Sequence, residues 1–425
     1  MHTEYAVKSV LDTDFYKLLM LQLIWKKYRN VEVTFRVKNR TKDVDLNKVI
    51  DRKQLEKEMR WVTNLKFENE HIRYLRNLKS AEGNAIFAED FLQYLQNEYY
   101  LQPNFDVSES VDLNNDLVFK GTWDSVTMWE IYILPILNSL RNRKLFESFN
   151  DDEFYAAYYF AQRKFDEKGA ALYRNKVKGI SDFGTRRRDS FEHQRNIIRL
   201  AIHYLGSGFS GTSNVHLARQ FNLIPIGTNA HEIPMVLAAL TDNDEDLKQS
   251  QYQVLEDWMQ LYDKSMWTVL PDTFGTRQFL KDAPVELMKQ ISGIRIDSMD
   301  NAEAANLLID YWNSIGIDPK TKIAIFSDGL DCDEIIKINN AFGNRLMCRY
   351  GWGTTLTNDF IDCVPSHYDA NYLKPISLVC KVNEVNGRSA VKLSDNISKA
   401  TGSPEEIERY KRVFGSVNYE KETLV

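Results

Sequence analysis

The chain is 425 residues long, with 27% charged and 12% aromatic residues and a formal net charge of −6. A single core rarely grows past ~250–300 residues, so this length points to two or three domains, and the composition excludes disordered, collagen-like and low-complexity classes. Sixty acidic against 54 basic residues exclude nonspecific nucleic-acid binding, which needs a strong basic excess, but leave room for a local basic pocket.

A helix is predicted from Asp14 to Tyr28, followed by Val31–Lys38, where apolar and polar residues alternate without error, the period-two signature of a strand with one wet face. Residues 45–99 read as three amphipathic helices, Leu117–Trp123 returns to strand, and two long helices follow over Met128–Phe146 and Asp151–Lys176. From about residue 178 the texture changes to short apolar runs, each ending in a glycine-bearing or polar turn before a helical stretch. The turns are Ser181–Arg187, Gly206–Asn214, Ile226–Glu232, Leu270–Gly275, Ile294–Ser298, Phe326–Asp331 and Tyr350–Leu356. Seven strand–turn–helix units in a row predict parallel strands with crossover helices, in a (β/α) barrel or an open doubly wound sheet. Ligands bind at the carboxyl ends of the strands in either case, and the barrel is favoured because it gathers all seven turns. Residues 370–425 lose this rhythm: Ile376–Val382 and Ser389–Leu393 read as antiparallel strands, and the charged tail as solvated.

Cys332, Cys348, Cys363 and Cys380 form neither a CxxC pair nor a compact zinc pattern, and read as buried thiols of a reducing compartment. The longest apolar runs, such as Leu18–Ile24 and Ile233–Leu240, fall far short of the ~18–20 residues that cross a bilayer, and no signal-peptide cleavage site follows the first. A soluble cytoplasmic protein without a membrane partner is expected.

Gly206-x-Gly208-x-x-Gly211 matches a dinucleotide-binding string, but residues 190–204 look helical where a strand should lead in. Thr212 and Ser213 before a helical Val215–Gln220 would suit an anion at a helix N-terminus. Arg186–Arg188 reads either as a solvated charge run or as guanidinium forks at a strand end, suited to phosphate or carboxylate. In Ile294-Arg-Ile-Asp297, Arg295 and Asp297 share one strand face, so they are either ligand-facing or a mutual ion pair. His231 is a core histidine or a functional one, and its place at a strand end favours function. Asp328-Gly329 offers a carboxylate for ribose hydroxyls or a metal, and Gly351–Thr355 backbone amides for a phosphate. These residues describe a phosphosugar-binding barrel with cationic and carboxylate groups.

Taken together the turns closely resemble the nicotinate phosphoribosyltransferase family (type II phosphoribosyltransferases), nearly end to end from Asp12-Thr-Asp-Phe-Tyr-Lys17 to Lys392-Leu-Ser-Asp-Asn396. The resemblance implies an irregular (β/α) barrel-like domain, residues 126–369, plus an α+β sandwich domain formed by both chain ends, residues 1–125 completed by 370–425. It implies that Phe183 stacks on a pyridine ring whose other face Tyr16 covers, from the same chain or from a second subunit of a homodimer with a shared active site. It further implies that Arg186 contacts the ring, with three arginines competing for that place, and that Arg295 holds anionic groups. Asp297 and Asp328 would hold ribose and Mg²⁺, and Gly329, Gly353 and Thr354 would cradle the 5′-phosphate. Ser213 stands where nicotinamide-using relatives carry an acid, so the acid, nicotinate, is the expected substrate. The family's phosphorylatable histidine falls on His231, within Gly227-Thr-Asn-Ala-His231. The implied reaction joins nicotinate to phosphoribosyl pyrophosphate in NAD biosynthesis, with ATP as coupled co-substrate and a ligase-type overall balance. The rival readings are a nicotinamide phosphoribosyltransferase and a non-catalytic phosphosugar-binding barrel.

Overall fold

The computed structural model describes residues 5–396 and 400–415, so the end of the charged tail, expected to be solvated, lies outside the described residues. Two sheets organise the chain. The antiparallel one runs in the order β10-β9-β1-β2, from Glu32–Asn39 (β1), Val118–Thr122 (β2), Leu378–Val385 (β9) and Arg388–Ser389 (β10). Both ends of the chain therefore meet in one sheet, with Phe35 opposite Phe119 on one side and Val382 on the other. The alternation seen in the sequence is used as expected: Val33, Phe35 and Val37 are buried in the core they share with the helix Trp129–Phe146, whose Trp129 ring stacks on Phe119 at 4.3 Å. Burying each such side chain is worth about 1.5–3 kcal/mol. The β9–β10 hairpin closes on Asn386-Gly387, with φ of 47° and 79°, the paired left-handed residues of a type I′ turn.

The parallel sheet runs β4-β3-β8-β7-β6-β5, from Ile180–Asp182 (β3), Phe209–Thr212 (β4), Thr268–Val269 (β5), Gly293–Ile296 (β6), Ile323–Phe326 (β7) and Met347–Trp352 (β8). Six of the seven expected units give a strand among the described residues. The seventh fails at Pro225, which lacks the N–H a ladder needs. It makes one parallel bridge to Thr212, and Ile226 N–H donates to Thr212 O at 2.9 Å. The chain then crosses irregularly from β4 towards β6, where the Asn229 carbonyl accepts from Arg295 at 3.1 Å. The ladder is interrupted at this crossing, which leaves β4 and β5 as the edges of the six-stranded sheet. The glycine string 206–211 leads into β4 instead of following a strand, so it forms no dinucleotide loop.

The region 45–99 holds four helices, not three, because Leu46–Val49 forms a short turn of its own before Arg52–Thr63. The helix Trp129–Phe146 continues through Pro135 and is buried along most of its length. It packs against β9 on one side and against the turn after β3 on the other, and so holds the two sheets together. All four cysteines are buried and unpaired. Among the described residues, no helix is long and apolar enough to cross a membrane.

Candidate active site

The turn after β3 is held from inside. The Asp182 carboxylate accepts from Gly184 N–H at 2.7 Å, Thr212 Oγ1 at 2.6 Å and Gln194 Nε2 at 2.8 Å. Burial pushes that carboxyl up to about 6, because no cation touches it. Phe183 N–H donates to Trp352 O at 2.8 Å, leaving its half-buried ring against the backbone of Gly351. A Cβ at Gly351 would lie 2.3 Å from that ring. Gly351→Ala is therefore expected to displace Phe183, and misplacement by about 1 Å can cost on the order of 10²-fold in kcat/KM. Steady-state kinetics checks this; unchanged kinetics would show that the ring position does not matter.

The three arginines separate by environment. Arg188 is fully buried and bidentate to Asp12, at 2.7 and 2.8 Å, with further bonds to Gln194 Oε1 and Ala6 O. It is a structural ion pair and cannot reach a ligand. Arg186 stays partly open: it donates to Glu130 at 2.7 Å, lies 3.3 Å from Asp14, and sits 5.6 Å over the Tyr16 ring of the same chain. Arg187 points towards the other end, where Arg40, Asp297 and Asp328 are its charged neighbours.

Around Arg186 lies a buried network supplied by the first helix, Phe15–Lys27, and by Trp129–Phe146. Lys17 is fully buried between Glu130, at 2.8 Å, and Glu232, and donates to Thr127 at 3.0 Å. Glu232 also accepts from Trp123 Nε1 and Thr127 Oγ1, both at 2.6 Å. Ser213 Oγ donates to Asp14 Oδ1 at 2.6 Å, and its N–H donates to Asp182 O at 2.8 Å. Asn214 caps the following helix through Leu217 N–H. The Thr212–Ser213 segment therefore spends its polar groups on the protein itself, and the anion site expected at that helix N-terminus is not formed.

His231 begins the helix Glu232–Ala239. Its Nδ1 lies 3.0 Å from Thr273 Oγ1, and its Nε2 is 3.0 Å from Asp297 and 2.9 Å from Lys392 Nζ. Asp272 is 3.6 Å from Nε2, accepts from Ser298 at 2.5 Å and lies 3.4 Å from Lys392. Burial keeps the imidazole below its ordinary value against the pull of Asp272, so the ring is neutral near pH 7. Arg295 and Asp297 do form the mutual pair, at 2.9 Å, and both reach Ser327 Oγ as well. Burial alone would raise Asp297, but Arg295 and His231 outweigh it and hold it well below the carboxylate range.

The remaining turns meet this cluster from the next strands. Asp328 and Gly329 follow β7, Gly353 and Thr354 follow β8, and Thr355 Oγ1 ties the two turns by donating to Leu330 O and accepting from Trp352 Nε1, each at 2.7 Å. Facing them are cations that the sequence did not reveal: Arg40 at the end of β1, Lys381 on β9, and Lys392. Burial, then Lys392 and Arg40, lower Lys381 to about 7, and burial with Arg186 and Arg40 lowers Arg187 to about 10. Such mutual repulsion makes the cleft an acceptor for a polyanion. Their only sequence signal was Lys392 inside a motif, since Arg40 and Lys381 arrive from the other sheet. Asp272 likewise stood unremarked in the Leu270–Gly275 turn.

His231, Asp272 and Asp297 bring ligand atoms within 4.8 Å of one another, and Asp272 Oδ1 is buried without a hydrogen-bond partner. The two carboxylates suit a hard, oxygen-seeking cation such as Mg²⁺.

Family models match this chain over residues 179–418, as the nicotinate phosphoribosyltransferase family, and over residues 11–138, as that family's N-terminal domain. The chain belongs to the nicotinate phosphoribosyltransferase family. A crystal structure of nicotinate phosphoribosyltransferase from Vibrio cholerae superposes with a TM-score of 0.84 at 28% identity, covering 97% of this chain and 94% of that one. Nicotinate phosphoribosyltransferase from Porphyromonas gingivalis gives 0.82 at 26% identity, covering 96% and 99%. Membership makes the chain an enzyme of NAD biosynthesis, a phosphoribosyltransferase with nicotinate and phosphoribosyl pyrophosphate as substrates.

Proposed function

We propose that this cleft makes nicotinate mononucleotide and couples the transfer to ATP hydrolysis through phosphorylation of His231. The observation that carries the coupling is the setting of His231: no strand leads into it, but its neutral imidazole stands at the head of the helix Glu232–Ala239, beside Thr273 and flanked by Lys392 and Asp297. In the tautomer that carries its proton on Nδ1, donated to Thr273, Nε2 presents a lone pair to Lys392. That lone pair can attack the terminal phosphorus of ATP as the bond to ADP breaks. Lys392 and Arg295 then face the added phosphate, which water later removes.

For the transfer itself, Phe183 and Tyr16 would hold the pyridine ring, and Arg186 its carboxylate. Gly329, Gly353 and Thr354 would take the 5′-phosphate, and Arg40, Arg187, Lys381 and Lys392 the pyrophosphate. The pyridine nitrogen attacks the anomeric carbon with its own lone pair while the carbon–oxygen bond to pyrophosphate breaks, so no general base is needed. Positioning and charge stabilisation carry the rate. Mg²⁺, held by Asp297 with Asp328 or Asp272, would neutralise charge on the departing pyrophosphate. The reaction belongs in the cytoplasm, and the site takes Tyr16 from its own chain, where that ring is buried beside Arg186.

The test is an assay with nicotinate, phosphoribosyl pyrophosphate and Mg²⁺, with and without ATP. Mononucleotide in both cases, with ATP raising the yield, is expected; no product under either condition would refute the reading. Selectivity for the acid is tested separately. Ser213→Asp would set a second carboxylate beside Asp14 and the substrate's own, and is expected to raise KM for nicotinate by roughly 10–100-fold, about 1.4–2.8 kcal/mol. Use of nicotinamide should fall less, so the acid-to-amide ratio of kcat/KM is the readout.

A further inference from the structure

The pyridine end of the cleft is unusual in its charge balance. Asp14 at the head of the first helix, Asp182 at the end of β3, Glu130 on the buried helix and Glu232 beside His231 are four buried carboxyls. They surround two cations, Lys17 and Arg186, and Lys381 of β9 acts on Glu130 as a third; the nearby Asp12 and Arg188 neutralise each other. Lys17 is shared by Glu130 and Glu232, and Arg186 by Glu130 and Asp14. Asp182 touches only neutral donors: Thr212, Gln194 and Gly184. Fully ionised, four carboxylates against three cations would leave one negative charge in excess, out of water. A buried excess of like charge is relieved by keeping a proton.

The groups facing Asp14 come from every element packed on it: Arg186 from the turn after β3, Glu130 from the buried helix, Tyr16 from its own helix, Asp182 from β3 and the hydroxyl of Ser213 after β4. Arg186 is the only cation among them. A substrate carboxylate on Arg186 would add one more negative charge to a site already in excess. We infer that nicotinate binds this enzyme together with a proton, which the Asp14–Asp182 pair takes up around Ser213. Both carboxyls already stand above their ordinary values, chiefly through burial, Asp182 at about 6. A bound anion raises them further, so uptake is greatest from about pH 6 upward, between the free and the bound values. The inference rests on the nicotinate reading given above.

The experiment is calorimetric titration of nicotinate into the full-length protein at pH 7.5, in phosphate and in Tris. Binding heat that depends on buffer ionisation enthalpy, with about half to one proton taken up per site, is expected. In parallel, KM for nicotinate at saturating phosphoribosyl pyrophosphate should rise with pH, by up to about tenfold per unit. Nicotinamide, which carries no charge, should bind without uptake, and Asp14→Asn should reduce the uptake seen with nicotinate. If nicotinate binds, or its KM is measured, with no uptake and no rise with pH, this inference is overturned while the substrate reading stands. Failure of nicotinate to bind or react under any condition overturns both.

Discussion

His231→Ala is expected to abolish ATP coupling while leaving part of the phosphoribosyl transfer. The imidazole is the only group in the cluster that offers a neutral lone pair: Asp272 and Asp297 are held ionised below their ordinary values, and Lys392 lies within reach of the ring as a donor. Its loss removes the nucleophile, and ATP hydrolysis should fall on the order of 10³-fold, about 4 kcal/mol of barrier. In the reading proposed above, the transfer step draws on other groups, namely Phe183, Arg186, Arg295 and the loops after β7 and β8. Uncoupled synthesis should stay within roughly tenfold of the parent rate at saturating substrate. Measuring ADP and mononucleotide in the same reaction separates the two. ADP still formed in fixed proportion to product would assign the phosphate to another residue.

Arg188→Met should produce the largest loss of stability. It strips the partner from Asp12, a carboxylate with no exposed surface whose remaining bonds come from Asn214 and Lys8 N–H. Breaking a buried pair on one side costs about 3–5 kcal/mol, a large share of a typical folding free energy. Urea denaturation reads this as a fall in midpoint, and Asp12→Asn added to Arg188→Met should recover part of the loss. The pH dependence supplies a second signature. In the parent, Asp12 is lowered on folding: burial pushes it up, but the Arg188 guanidinium, with the bonds from Asn214 and Lys8 N–H, outweighs that. Its contribution is present above the unfolded value near 3.9 and is lost as pH falls through the folded one. Without Arg188, burial raises the carboxyl instead, so the variant should lose stability as pH rises above about 4. Equal loss at every pH would mean the pair matters only as packing.

The parts of the fold legible in the sequence were those with local periodicity. Val31–Lys38 reads as a strand because every second side chain is apolar, and the turns after β3, β6, β7 and β8 read as strand ends because polar residues follow short apolar runs. The missing seventh strand turns on one residue, Pro225, whose lost N–H outweighs the apolar run around it. Within the site, Arg295, Asp297 and His231 were visible for the same local reason, and they do converge. The assignment among Arg186, Arg187 and Arg188 was not legible. Three identical residues differ only in what other segments bring to them: Asp12 from the chain start, Glu130 from a distant helix, and Arg40 from the other sheet. Lys381 was hidden for a similar reason, since on β9 it looks like any wet-face lysine.

The pairing of β1 with β9 also sets a timetable. Ser377 N–H donates to Thr41 Oγ1 across 336 residues of sequence, and β9 fills the side of β1 that β2 leaves open. At ribosomal rates of about 5–20 residues per second, that edge waits roughly 20–70 s for its partner. During this interval a strand with three buried-type apolar residues keeps one edge open, an invitation to self-association. Arg40 and Lys381 face each other only when that pairing is made. The nascent enzyme should therefore be inactive and dependent on chaperones until the last strands emerge, and truncation before β9 should yield aggregate instead of a weakened catalyst.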